Sequence, residues 1–252
     1  MTKLRVITPI ISRGFRDEDP LRAAVPEGCT LSHVFLDHGP ASVESAVDEV
    51  LAGPGVINAA LTAEAERVEA IVIDCMLDPA LDAAREVVAI PVFGCGEVGL
   101  LAAAEHPGTF SIVTVLQRQE RDFRALAARY GVGEKLASVR GINVSVLDLE
   151  RDRETAVAAT IREARLAAEE DGATAIVFGC TGMLGFDAPV ATAMGWSADR
   201  VIDPLPLAIR TANAAVSAGQ GTDKTRFPAP DPKEIRGFDA WPLLTATMAG
   251  TS

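Results

Sequence analysis

Aromatic side chains are scarce in this chain of 252 residues, which carries 9 Phe, 2 Trp and 1 Tyr. A core poor in rings has to be built from Ala, Val, Leu and Ile. The composition allows it, with 48% hydrophobic and 23% charged residues, the balance of a folded globular protein. Basic residues are outnumbered, 23 Lys and Arg against 35 Asp and Glu, giving a net charge of −12. That deficit excludes the clustered positive charge on which phosphate-tracking nucleic-acid binding depends. No apolar run approaches the roughly 20 residues that a membrane helix requires. The N-terminal stretch Met1 to Ile7 meets Pro9 and Arg13 before the apolar core of a signal peptide can form. The histidines His33, His38 and His106 have no metal-ligand spacing. The cysteines Cys29, Cys75, Cys95 and Cys180 are too widely spaced for a disulfide scaffold and include no C-x-x-C pair. A cytoplasmic protein with reduced thiols is expected, acting on a small molecule and on neither nucleic acid nor membrane.

What the sequence does hold is an internal echo. Ala70-Ile71-Val72-Ile73-Asp74-Cys75 returns 105 positions later as Ala175-Ile176-Val177-Phe178-Gly179-Cys180, each copy preceded by an acidic helical stretch. Leu4 to Ile10 matches Phe110 to Leu116, with Thr8 aligned on Thr114, and Val88 to Pro91 finds a looser counterpart in Arg200 to Pro204. Three matches in the same order indicate a duplicated unit. Each unit alternates short β-branched runs, suited to strands covered on both faces, with longer Ala/Leu/Glu/Arg segments of helical periodicity. Helices are expected over Val43 to Leu51, Leu81 to Val88, Glu97 to Glu105 and Glu120 to Tyr130, and Asp78-Pro79 has the form of a helix N-cap followed by Pro. Such alternation predicts an α/β fold with a parallel doubly wound sheet in each of two similar lobes. The expected division is 1–95 plus about 205–220 for the first lobe, 96–204 for the second, and a proline-marked extension over 221–252. That tail reads as an extended arm packed through Phe238 and Trp241.

Ligands of open α/β sheets sit beyond the carboxyl ends of the strands. Cys75 and Cys180 fall where apolar strands end, at equivalent places in the two units. If the lobes face each other across a pseudo-twofold axis, the thiols approach an intervening cleft from opposite sides. The chemistry that needs such symmetry is inversion of a carbon centre, one thiolate removing a proton while the opposing thiol delivers one. A lone Cys at a strand end is more often a small buried hydrophobe; two at matched positions of a duplicated unit favour catalysis. Gly179 and Gly182 permit close backbone approach, and Thr181 offers a hydroxyl donor to a developing enolate. Asp74 complicates the picture, because a carboxylate facing Cys75 disfavours its thiolate. Cys29 and Cys95 read as structural.

These residues resemble the PLP-independent Asp/Glu/hydantoin racemase superfamily, and most of all its hydantoin racemase branch. The resemblance runs over about residues 4–218. It is carried by Gly39 to Ser45, Asp48 to Pro54, Cys75 to Glu86, Pro91 to Gly94, Ser111 to Thr114, Gly179-Cys180-Thr181-Gly182-Met183 and Val201-Ile202-Asp203-Pro204. It implies two flavodoxin-like lobes, an active-site cleft in which Cys75 and Cys180 form the acid/base pair, and no metal or organic cofactor. The family's Asn-Pro-Asn-Thr segment is replaced by Thr8-Pro9-Ile10-Ile11, and its Cys-Phe-Gly-Asp-Pro-Gly by Cys75-Met76-Leu77-Asp78-Pro79-Ala80. An apolar wall of Ile10, Met76 and Leu77 points to a neutral or hydrophobic ligand, with Thr8, Thr114, Thr181 and Gly182 also lining the site.

The expected activity is racemisation of a carbon alpha to a carbonyl, in a 5-substituted hydantoin or a related cyclic ureide. Rival expectations on the same scaffold are an aspartate- or glutamate-type racemase, a cis-trans isomerase, and a malonate decarboxylase keeping Cys180 alone as proton donor. A binding module without catalysis is the rival from another class. Gly94-Cys95-Gly96-Glu97-Val98-Gly99 fits a dinucleotide fingerprint literally, yet the next strand ends in Leu116-Gln117-Arg118 without the acid that would hold a ribose. Close helix–strand packing explains those glycines better. His38 is the nearest partner for a Cys–His pair, and Gln117 and Arg118 are candidates to clamp a carboxylate. A homo-oligomer is expected, of unspecified size.

Overall fold

The computed structural model describes residues 1–15 and 18–250. Strands and helices alternate from the start: β1 (Thr2–Thr8), α1 (Asp19–Ala23), β2 (Cys29–Phe35), α2 (Ala46–Ala65), β3 (Ala70–Ile73), α3 (Leu81–Val87) and β4 (Val92–Gly94). There follow α4 (Cys95–Glu105), β5 (Thr109–Thr114), α5 (Glu120–Arg129), β6 (Leu136–Gly141), α6 (Arg153–Glu169), β7 (Ala173–Phe178), α7 (Asp187–Met194), β8 (Val201–Ile202), α8 (Pro204–Ser217) and α9 (Pro242–Ala249). The chain forms two compact units. One holds Met1–Arg13, Val25–Gly94 and the chain from Ile209 onward; the other holds Gly14–Ala24 and Cys95–Ala208.

Each unit contains one parallel sheet of four strands, ordered β2-β1-β3-β4 in the first and β6-β5-β7-β8 in the second. The same order occurs twice, so the sequence echo is a duplication of topology. All four residues of β3 are fully buried, the state of a strand covered on both faces. In the second unit Phe178 and Phe186 meet edge to face at 6.4 Å, over the Ala-rich face of α6 (Ala156, Ala159, Ala164, Ala167). Small alanines let that helix lie close to the sheet, which is how a core short of aromatics reaches native density. Among the described residues no helix is long and apolar enough to cross a membrane.

The structure departs from expectation in three places. Helix α2 runs unbroken to Ala65, through Gly53-Pro54-Gly55, although periodicity marks only its beginning. Ser45 caps it, accepting from the Asp48 amide while the Asp48 carboxylate accepts from the Ser45 hydroxyl and the Glu44 amide. Pro54 forfeits one helical hydrogen bond. At Gly55 a Cβ would lie 2.8 Å from Leu36 Cδ1 and 3.0 Å from the His38 carbonyl oxygen, so the helix runs close to the β2 end there. Asp78 is not a helix cap: α3 begins at Leu81, after Asp78 and Ala80 have both taken left-handed conformations (φ 49° and 56°). The Asp78 side chain instead points inward and is 2% exposed.

The tail is not simply an extended arm. Residues 222–227 lie along the first unit, where the Thr222 amide donates to Ala89 O and Lys224 Nζ donates to the carbonyls of Arg85 and Glu86 at the end of α3. Burial lowers the Lys224 ammonium pKa from its ordinary value, against the raising influence of Glu64 and Glu86. Helix α9 packs on α2, and Asn58 Oδ1 of α2 accepts from the Leu243 and Leu244 amides at its N-terminus. Trp241 lies between Phe238 and His38, tilted to the first and edge-on to the second, at 5.8 and 5.9 Å between ring centroids.

Candidate functional site

Strand register places Cys75 and Cys180 at the same point of the two sheets. In the first unit Ile7 pairs with Ile73, and the Asp74 amide donates to the Ile7 carbonyl at 2.9 Å. In the second, Val113 pairs with Phe178, and the Gly179 amide donates to the Val113 carbonyl at 2.7 Å. The residue that follows is a cysteine in both cases. Position 74 therefore corresponds to 179, and Thr8, next after Ile7, to Thr114, next after Val113.

Exposure singles out the same two residues. From Ala70 to Pro79 every residue is buried except Cys75, and from Ala175 to Leu184 every residue is buried except Cys180. None of Cys29, Cys75, Cys95 and Cys180 forms a disulfide. Cys95 is fully buried, and Cys29 donates to Asn213 Oδ1 at 3.0 Å, so both behave as structural residues.

Around Cys180 the chain turns through a single 3-10 turn, Thr181–Met183, and the Gly182 amide donates to the Cys180 sulfur at 3.3 Å. An amide donor aimed at sulfur favours thiolate over thiol. The loop beyond is fixed from two sides. The Gly185 amide donates to Asp203 Oδ2 at 2.8 Å, and Arg153 donates to Leu184 O at 2.9 Å while lying 4.7 Å over the Phe186 ring. Gly179 is required by close approach, since a Cβ there would sit 2.5 Å from Thr114 Cβ.

Around Cys75 the turn is tighter. The Cys75 amide donates to Ile73 O at 3.0 Å, closing a three-residue turn at Asp74, and the Asp78 amide donates to Cys75 O at 3.2 Å. Gly94 at the end of β4 makes room for the Asp78 carboxylate, because a Cβ there would lie 2.3 Å from Asp78 Oδ1. Behind the turn, the Thr8 hydroxyl donates to Asp74 Oδ2 at 2.5 Å and contacts His33 Nε2 at 2.6 Å. Thr8 and Asp74 are each 2% exposed. Thr114 is likewise fully buried, its hydroxyl beside Gln119 Oε1 (3.0 Å) and Gly179 O (3.2 Å).

The remaining expected residues are placed as follows. Ile10, Met76 and Leu77 are interior, at 4%, 1% and 5% exposure, and Thr181 and Gly182 are buried beside Cys180. His38 is exposed and packs on Trp241. Gln117 spends its amide on the edge of the second sheet, donating to Val139 O and accepting from the Gly141 amide, while Arg118 is exposed. Among the described residues no group of three or more His, Cys, Asp and Glu is placed to hold a metal ion. His33 was weighed in the sequence only as a metal ligand. The Thr8–Asp74–His33 cluster joins three strands, and no local sequence signal announces it.

Known proteins resemble this chain in sequence and in fold. The family model described as Asp/Glu/Hydantoin racemase matches residues 18–212. A hydantoin racemase of Pseudomonas sp. (strain NS671) is 35% identical over 240 residues, covering 93% of this chain and 94% of its own. Among solved structures, an allantoin racemase from Klebsiella pneumoniae superposes with a TM-score of 0.89 at 30% identity, covering 96% of this chain and 99% of its own. An allantoin racemase from Pseudomonas fluorescens gives 0.87 at 26% identity, with 94% and 100% covered. With the duplicated α/β topology and the likeness to racemases along nearly its whole length, the chain belongs to the Asp/Glu/hydantoin racemase family and is an isomerase of the racemase class.

Proposed function

We propose that the chain is a cofactor-independent racemase of a neutral cyclic ureide, either a 5-substituted hydantoin or a ring of the allantoin kind, and that Cys75 and Cys180 are its acid/base pair. One observation carries this reading: in two topologically equivalent strand ends, each otherwise buried, the accessible residue is a cysteine. Two thiols suit racemisation, because either can serve as base while the other serves as acid and the roles exchange with direction. One thiolate takes the proton from the ring carbon beside the carbonyl. The C–H electron pair moves into that carbonyl as an enolate, and the second thiol gives its proton to the opposite face. The first sulfur ends as thiol and the second as thiolate, so the reverse reaction starts from the product state. Nothing is oxidised or reduced, and no external electron acceptor enters the balance.

A ureide suits this chemistry because the ring carbonyl delocalises the carbanion, leaving less of the barrier to the thiols. The Gly182 amide supports the anionic form of Cys180. The buried apolar side chains of Ile10, which follows β1, and of Met76 and Leu77, which follow Cys75, suit a neutral ring better than a dicarboxylic amino acid. Thr181 and Gly182 complete the proposed lining, with Thr8 and Thr114 behind the strand ends. The relatives named above are racemases of hydantoins and of allantoin.

The test is a polarimetric assay over single enantiomers of 5-substituted hydantoins, allantoin, aspartate and glutamate, run in water and in D₂O. Loss of optical activity with the ureides, deuterium at the inverted carbon, and loss of turnover in both Cys75→Ser and Cys180→Ser are expected. Native turnover in either variant, or carbon dioxide release from a disubstituted malonate without racemisation, overturns the proposal.

A further inference from the structure

The Thr8 hydroxyl carries a single proton and has two close neighbours, Asp74 Oδ2 at 2.5 Å and His33 Nε2 at 2.6 Å. With that proton donated to the carboxylate, the second contact is a hydrogen bond only if His33 Nε2 carries a hydrogen and donates to the Thr8 oxygen. The direction of both bonds is thereby fixed: His33 to Thr8, Thr8 to Asp74. His33 is held in turn by the Phe35 ring, with centroids 4.6 Å apart. It lies in the wall of a cavity of about 290 Å³ inside the first unit, shared with Arg5, Arg13, Asp37, His38 and Trp241. The charged groups of that wall are already engaged, Arg5 with Glu66 at 2.7 Å and Arg13 with Asp37 at 3.5 Å.

Asp74 is the residue immediately before Cys75, and its carboxylate is 2% exposed. A buried carboxylate beside a thiol opposes formation of the thiolate unless its charge is drawn elsewhere. We propose that Asp74, Thr8 and His33 form a positioning relay, in which the hydroxyl and the imidazole N–H hold the Asp74 carboxylate on the Thr8 side of the strand end and so permit Cys75 to ionise. The equivalent place in the second unit holds Gly179, so the residue before Cys180 carries no carboxylate. None of the three residues touches the reacting atoms in this assignment. It rests on the proposed role of Cys75, but its own readout is the reactivity of that sulfur, which is measured without substrate.

The experiment follows alkylation of the full-length protein by iodoacetamide as a function of pH, scoring Cys75 and Cys180 separately by peptide mass analysis. Thr8→Val keeps the shape and removes the hydroxyl. It should slow Cys75 by about tenfold below its midpoint, equivalent to about one pH unit, and leave Cys180 unchanged. Thr8→Ser should retain the native rate at Cys75, and His33→Phe should slow Cys75 in the same direction. Asp74→Asn should speed Cys75, and adding Thr8→Val to it should have no further effect. The relay is refuted if Thr8→Val slows both cysteines alike, slows neither, or slows Cys75 equally in the Asp74→Asn background. Native racemisation by Cys75→Ser would sink the functional proposal and leave these alkylation results standing, so the two failures are distinct.

Discussion

Gly94 and Asp78 offer a test of how the first unit holds its cysteine turn. A Cβ at position 94 would sit 2.3 Å from Asp78 Oδ1 and 2.4 Å from its Cγ. Both fall more than about 1 Å short of ordinary contact. Asp78 is 2% exposed, so its carboxylate has no open route of retreat. Overpacking of this kind costs about 1–3 kcal/mol. In a protein of this size that corresponds to a fall in Tm of about 2–10 °C. The Asp78 amide also closes the turn onto Cys75 O, so a displaced Asp78 drags the cysteine with it. A shift of about 1 Å there should lower kcat/KM about 100-fold. The decisive step is to repeat the substitution in an Asp78→Gly background, where the left-handed φ of 49° suits glycine. There Gly94→Ala should cost less than about 0.5 kcal/mol, exposing a coupling energy of about 0.5 kcal/mol or more. Circular-dichroism melts of the four proteins complete the cycle. An equal fall in Tm in both backgrounds refutes the contact as the cause.

Two further outcomes follow from contacts outside the strand ends. Asn58→Ala removes the acceptor for two α9 amides and should cost about 1 kcal/mol, as for loss of a helix cap; it should appear as faster protease nicking between residues 228 and 241, and unchanged cleavage kinetics would count against the capping role. In the second unit the Arg140 guanidinium hydrogen-bonds Asp171 and holds its carboxyl below the usual carboxylate range. A carboxyl whose pKa is lower folded than unfolded stabilises the protein above its unfolded pKa of about 3.9, and that contribution is lost as pH falls through the folded value. Arg140→Gln should therefore flatten the dependence of the urea midpoint on pH on the acid side of pH 5; an unaltered slope would refute the linkage.

The repeat was legible because a parallel strand buried on both faces leaves a plain signature: Ala70 to Ile73 and Ala175 to Phe178 are apolar at every position, and all eight of those residues are buried. The cysteines were legible because they follow those runs directly. Helix α2 was only half legible, because Gly53-Pro54-Gly55 has the local chemistry of a turn. The close approach of position 55 to Leu36 and the His38 carbonyl, which a glycine permits, is invisible in the sequence around it. Asp78 misled for the opposite reason. Asp-Pro before an apolar run is a sound capping signal, but it was outweighed by the space that Gly94 opens one strand away. The Thr8–Asp74–His33 cluster depends on which strands are neighbours, and pairing of β1 with both β2 and β3 is a property of topology.

Backbone symmetry in the two units does not extend to their side chains, and the difference has a chemical consequence. The same threonine closes both central strands, yet its hydroxyl donates to a carboxylate at Asp74 and lies against a main-chain carbonyl at Gly179. A side chain like that of Asp74 has no room at 179, where the first carbon would already clash with Thr114. The residues before the two sulfurs therefore differ: Gly179 has no side chain, whereas the Asp74 carboxylate accepts from the Thr8 hydroxyl. For the proposed racemisation this asymmetry is permitted. Two enantiomers have equal free energy, so thermodynamics fixes only the ratio of their kcat/KM values at unity. The individual kcat and KM values are free to differ between directions, and a thiolate more stable on one side than the other is a physical source of that difference.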